Sequence, residues 1–235
     1  MKVIKAGYRI LTPITGDELK LIEIAGRTCY KSEKNITDDS AKEFVAKMIK
    51  NRHEAMLEHS SLSVKFICDR GVSHELVRHR LASFGQESTR YCNYASDKHG
   101  GEITFIEPLF FEPGSEKYNV WYNSLHYAED AYLYLLKNGA TPQEARSVLP
   151  NSVKTEVVMT ANYREWRHFF NLRAARATGP AHPQMEEITV PLLRELTGLI
   201  PVIFDDIYAK TMELDKAKAW LNSRYGARFV SESLQ

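Results

Sequence analysis

The chain has 235 residues, 43% hydrophobic, 26% charged and 11% aromatic, which excludes a disordered or fibrous protein and leaves enough apolar surface for a core. Lysine plus arginine number 31 against 30 for aspartate plus glutamate, so the net charge of +1 gives no global attraction for a polyanion, and any anion recognition must be local. Cys29, Cys68 and Cys92 form no C-x-x-C pair, which argues against a disulfide framework or zinc knot and for a reducing cytoplasm, and neither a secretory leader nor an eighteen-residue apolar span is present.

In chain order, Gly16, Asp17 and Glu18 open a helix to about Tyr30, with acids in its first turn. After Thr37 and Asp38, the residues Ala41, Phe44, Val45, Met48 and Ile49 recur on one apolar face and predict a second helix. Leu62, Val64, Phe66 and Cys68 alternate with polar residues, the two-residue period of a half-buried strand. Beyond Gly71, Ser73 reads as an N-cap for a short helix carrying His74 to Arg80, after which the chain is expected to run into a loop. Ser115 to Asn138 reads as a long aromatic-rich helix stopped by Gly139, and "TPQE" at Thr141–Glu144 as a capping box with proline at the first helical position.

Ser152 to Tyr163 is rich in β-branched residues and predicts a strand, followed by a helix through Trp166, Phe169, Phe170 and Arg173. The last third is helical, with Pro191 and Pro201 expected to kink or break it. No repeat and no Gly/Ser/Pro-rich linker interrupts the chain. The expectation is a single α+β domain over residues 1–235, with a small, mostly antiparallel sheet and several helices.

Most recognised chemistries lack their residues here. His53 and His59 of "HEAMLEH" are six apart and point about 240° from each other on a helix, so they do not form a zincin pair. No G-x-S-x-G elbow, P-loop or G-x-G-x-x-G cradle occurs. Cys68 fits a packing role on an apolar strand, whereas Cys92, beside a basic cluster, is the one thiol with an electropositive setting. That cluster, "RHRLASFGQESTRY" from Arg78 to Tyr91, combines Arg78, Arg80 and Arg90 with Ser83, Ser88 and Thr89, and Glu87 is its single acid. Guanidinium forks together with hydroxyl and loop N–H donors are what a phosphate requires. A second set, Arg146, Asn162, Arg164, His168 and Arg173, lies far away in sequence, with Arg164, His168 and Asn171 spaced to share one helical face. Two separate arginine sets in a neutral chain favour small phosphorylated ligands over a nucleic acid, which calls for a longer basic stripe.

The same stretch resembles the R-H-R-x-x-S-x-x-x-x-S-x-R-Y signature of the flavin-dependent thymidylate synthases at every fixed position. "HEAMLEH", "ELVRHR", "ARSVLP", "NYREWRHFFNLR" and "PQMEEI" resemble that family's further blocks, in its order. The resemblance implies a cytoplasmic homotetramer with active sites at subunit interfaces. Its activity would be reductive methylation of dUMP to dTMP, with 5,10-methylenetetrahydrofolate as one-carbon donor and NADPH as reductant through FAD. No enzymic cysteine nucleophile, metal, nucleic acid or membrane would take part.

By the same resemblance, Arg78, His79, Arg80, Gln86, Asn162, Arg164 and His168 would contact FAD, and His53 would stand beside the flavin ring. Glu75, Gln86, Ser88, Arg90 and Arg146 would hold the nucleotide, and Arg173 would lie against the uracil. Arg173 and His53 are the expected catalytic pair. Gly85 and Gln86 replace an Asn-Glu pair of some members, Ala55 a threonine and Cys29 a serine.

Overall fold

The computed structural model describes residues 1–96 and 101–225. The chain runs β1 (Lys2–Ile4), β2 (Gly7–Ile10), α1 (Asp17–Thr28), α2 (Ser40–Lys50), β3 (Ser61–Asp69), α3 (Arg70–Leu76), β4 (Ala82–Gln86) and β5 (Thr104–Ile106). It continues through α4 (Glu116–Lys137), α5 (Pro142–Ala145), β6 (Lys154–Asn162), α6 (Tyr163–Arg173), α7 (Pro183–Leu199) and α8 (Asp205–Tyr225). Strands β2, β3, β6 and β4 form a small antiparallel sheet in that order. Strands β1 and β5 pair in parallel, with Val3 opposite Phe105. The α+β expectation holds, with far more of the chain in helices than in strands.

Contacts gather the chain into two compact units. Residues 1–9, 65–78 and 84–159 make the first, and 10–64, 79–83 and 160 onward make the second. The first is centred on Tyr94, Ile103, Phe105, Leu125, Tyr132, Ala145 and Val153, with Trp121 and Cys92 packed against them. The second is built on the aromatic face of α6. Trp166 and Phe170 stack with ring centroids 5.6 Å apart, Phe170 meets Phe204 edge-on at 5.4 Å, and Trp166 donates its indole N–H to the Leu62 carbonyl at 3.0 Å. All four side chains are fully buried. Each aromatic pair of this kind adds about 1 kcal/mol beyond its burial, so the face that carries Arg164 and His168 outward is a rigid one.

Several local expectations are corrected. The helix expected over His74 to Arg80 instead spans Arg70–Leu76, because the Asp69 carboxylate accepts from Val72 N at 2.6 Å and caps it earlier than Ser73 would. Ser73 is helical, and its hydroxyl donates to the Arg70 carbonyl at 2.8 Å. The signature is not a loop throughout, since Ala82–Gln86 is strand β4, bonded to β6 in the sheet. Pro191 does not end α7, which continues from Pro183 to Leu199 and stops just before Pro201. One backbone donor is lost at Pro191, but Ile188, Leu192, Leu193 and Leu196 are buried on either side of it and hold both halves to one core. Strands β1, β2 and β5, each of three or four residues, carry too little pattern to be read beforehand.

Candidate functional site

In the second unit the centre of the site is His79, the middle residue of the R-H-R triplet. Arg78 and Arg80 are exposed, while His79 between them is 4% exposed. Its ring meets Phe169 edge-on at 4.9 Å and His168 at 5.9 Å. Arg173, the last residue of α6, donates its Nε–H to His79 Nε2 at 3.1 Å, and its backbone carbonyl accepts from the Thr189 hydroxyl at 3.0 Å. The residue that the resemblance would place against the uracil is thus held both at its Nε and at its backbone. On the other side of the ring, His79 Nδ1 stands 3.4 Å from the buried Glu165 carboxylate.

Burial, with the positive Arg173 and with His168 beside it, pushes His79 down from 6.5 to about 4. The folded chain therefore refuses a proton that the unfolded chain takes up near pH 6.5. Stability from this group is complete above that pH and falls away as the pH drops toward 4, by about 3 kcal/mol in all. Denaturant unfolding between pH 7 and pH 4 is expected to show a correspondingly shallower pH dependence in His79→Gln than in the parent, a comparison in which the shared carboxylates cancel. Identical slopes would remove His79 as the cause.

Around this centre, Asn162 caps α6, its Oδ1 accepting from Glu165 N at 2.9 Å. Arg164 reaches Glu58 at 2.6 Å and, with Lys50, Arg52 and Lys210, lines an open cleft of about 830 Å³ within the second unit. Glu54, Asp205 and Asp206 share the lining, so the cleft mixes cations with acids; its size suits a dinucleotide, and its exposed cations suit a diphosphate. His53 lines a separate cavity of about 460 Å³ with Tyr30, Lys47 and Asn51. The structure brings His79, His168 and Arg173 together and leaves His53 at the edge of its own cavity.

The first unit holds the other set. The Gln86 amide donates to the Ser73 hydroxyl at 2.9 Å and the Thr155 hydroxyl at 3.2 Å, so its NH₂ is committed. Arg146 donates to Thr89 at 3.3 Å, and Arg90 to Gln143 at 3.0 Å. Arg146, Thr89 and Arg70 line a cavity of about 250 Å³. Two guanidinium groups and a hydroxyl around so small a space are a phosphate-sized donor set. Ser88 is half-buried next to Thr89, and Glu75 is half-buried on α3. Glu87, the only acid of the signature, does not oppose these cations. It accepts from Lys154 and from the Tyr94 hydroxyl, each at 2.8 Å.

Sequence reading did not single out Glu165, Arg70 or Thr155, and took Ser73 only as a helix cap. An acid in the first turn of a helix reads as a dipole partner, and hydroxyls within a helix or strand carry no signal of what they hold. All three cysteines are free: Cys68 is buried, as the packing role expected of it requires, and burial pushes its thiol up to about 12, whereas Cys29 is exposed. Cys92 packs against the Tyr94 and Leu125 cluster. No helix among the described residues is long and apolar enough to cross a membrane.

The anchored Arg173 beside a buried neutral imidazole in the second unit, and the phosphate-sized cavity in the first, are donor sets suited to phosphorylated ligands. Residues 11–202 match the family model described as thymidylate synthase complementing protein, and the chain belongs to that family. It is 33% identical to the flavin-dependent thymidylate synthase of Corynebacterium aurimucosum over 82% of this chain and 81% of that protein. It is 31% identical to the one from Geobacter sulfurreducens over 82% and 83%. Among solved structures, the UMP/dUMP methylase PolB from Streptomyces cacaoi, bound with 5-Br dUMP, matches with a TM-score of 0.71. It covers 89% of this chain and 97% of that one at 22% identity, a likeness of fold.

Proposed function

We propose that the chain is one family domain over residues 1–235 that methylates dUMP to dTMP, working as a cytoplasmic homotetramer. The one-carbon unit would come from 5,10-methylenetetrahydrofolate, and the two electrons that reduce it to methyl would come from NADPH through FAD. The observation that carries the reading is the anchored Arg173, in a chain that keeps every fixed residue of the signature.

When bound, FAD supplies the hydride transfer; the chain's own residues bind and polarise. Arg164 and the other cations of the 830 Å³ cleft would hold the flavin dinucleotide. Arg78, His79, Arg80, Asn162, His168 and Gln86 would complete that set, with His53 near the ring. The pocket of Arg146 and Thr89, flanked by Ser88 and Arg90, suits the nucleotide phosphate, and Glu75 and Gln86 the remainder of dUMP. Carbon-5 of uracil is a poor nucleophile until negative charge can develop in the ring. A guanidinium already held in place stabilises that charge at a ring carbonyl without reorganising during the reaction.

The test is anaerobic. Protein, FAD, NADPH, methylenetetrahydrofolate and dUMP are mixed and assayed for thymidylate and tetrahydrofolate. Thymidylate is expected, and folded, flavin-loaded protein that makes none would overturn the reading. Run on a protein with Cys29, Cys68 and Cys92 replaced together, the assay is expected to give unchanged turnover. Selective loss through Cys92 would point instead to covalent cysteine catalysis.

A further inference from the structure

Glu165 is 5% exposed, has no part in the reading above, and faces an imidazole that is itself buried. An acid at this position could serve the helix dipole from solvent at no desolvation cost. Here it is turned inward instead, and burial holds its carboxyl above the ordinary range despite His168 nearby. Something must offset that burial.

The proton inventory of the cluster supplies the reason. A guanidinium has only donors, so His79 Nε2, 3.1 Å from Arg173 Nε, must present its lone pair. A neutral imidazole then carries its proton on Nδ1, the nitrogen 3.4 Å from Glu165 Oε1. The ring dipole is thereby aligned between opposite charges, its N–H toward the carboxylate and its lone pair toward the guanidinium. Glu165, His79 and His168 also place their donor atoms within 4.8 Å of one another, as metal ligands would. A cation on Nδ1, the nitrogen that faces Glu165, would drive the ring proton onto Nε2 and set it against the Arg173 N–H, which favours the Nδ1–H tautomer over a metal.

We propose that Glu165 is a positioning residue: it holds His79 as the Nδ1–H tautomer, and the Nε2 so presented fixes the plane of the Arg173 guanidinium. This rests on the assignment of Arg173 to the nucleotide made above. The sequence separation from His79 to Arg173 is 94 residues, and the tautomer chosen at one end sets the orientation of the donor at the other.

Two measurements test it. The first needs no ligand: nitrogen NMR of histidine-labelled protein at neutral pH is expected to show His79 protonated on Nδ1 and bare on Nε2. The reverse tautomer would overturn the proposal, whether or not any variant folds. The second uses the FAD-loaded protein and dUMP titration. Glu165→Leu is expected to weaken dUMP about tenfold through the freed guanidinium, with flavin content unchanged. Glu165→Gln, whose amide oxygen still accepts from Nδ1–H, should recover most of the loss, which a merely space-filling role would not predict. Parent-like dUMP affinity in Glu165→Leu would also overturn it. If the parent itself fails to bind dUMP, the functional reading is what fails, and the NMR result alone decides the positioning chain.

Discussion

Arg173→Ala is expected to lower kcat for thymidylate formation by about 10²- to 10³-fold, the usual cost of deleting one fixed donor aimed at developing negative charge. The magnitude follows from how the side chain is held. Its Nε is tied to His79, its backbone carbonyl accepts from Thr189, and α6 behind it is locked by the Trp166, Phe169 and Phe170 face. Such a group requires little reorganisation as charge develops, whereas water filling the space left by alanine would have to reorient. Flavin content and the folded spectrum should be unchanged, which separates this outcome from misfolding. Arg173→Lys should recover only a small part of the rate, because an ammonium cannot anchor on His79 and present a second planar donor at once. A kcat within about twofold of the parent would remove Arg173 from the mechanism.

Arg167→Met carries the largest expected loss of stability, about 3 kcal/mol by denaturant unfolding. Arg167 is 4% exposed, unlike its exposed neighbours Arg164 and His168, although it lines the same cleft as Arg164. Its guanidinium donates to both Asp206 oxygens at 2.7 and 2.8 Å, to the Ile203 carbonyl, and to Glu54 at 3.3 Å. One side chain thus ties α6 to the start of α8 and to the turn after His53. Methionine matches the length but leaves those acceptors unmatched. The loss is held below the upper range for buried pairs because Glu54 and Asp206 are 31% and 43% exposed and can turn to water. Asp206→Asn should cost less, since the Ile203 and Glu54 bonds survive. Equal stability of Arg167→Met and the parent would show that hydrophobic packing on α6 suffices by itself.

These two arginines show how unevenly the sequence discloses function. Arg173 is legible because it lies in a block whose residue types and spacing recur with the signature. Arg167, six residues earlier in the same helix, looks like another surface cation until its partners Ile203 and Asp206 are brought to it from 36 and 39 residues away. The same holds within the R-H-R triplet. Three consecutive polar residues read as one donor cluster, yet the fold exposes the two arginines and buries the histidine. Glu87 is the converse case: the single acid of the cluster is taken up by Lys154 and Tyr94.

The sequence by itself determined the donor inventory, the helices with strong caps or a clear apolar face, the long strands β3 and β6, and the family blocks. These depend on rules that act within about one helical turn or one strand repeat. Tertiary structure alone decided that Ala82–Gln86 pairs as a strand, that α7 continues through Pro191, and that Glu165 and Arg173 meet across the His79 ring. Strand pairing and the burial of a charged group are settled by partners that can lie dozens of residues away. Protonation follows from that burial, so the neutral state of His79, on which the anchoring of Arg173 depends, could not be read from any local pattern.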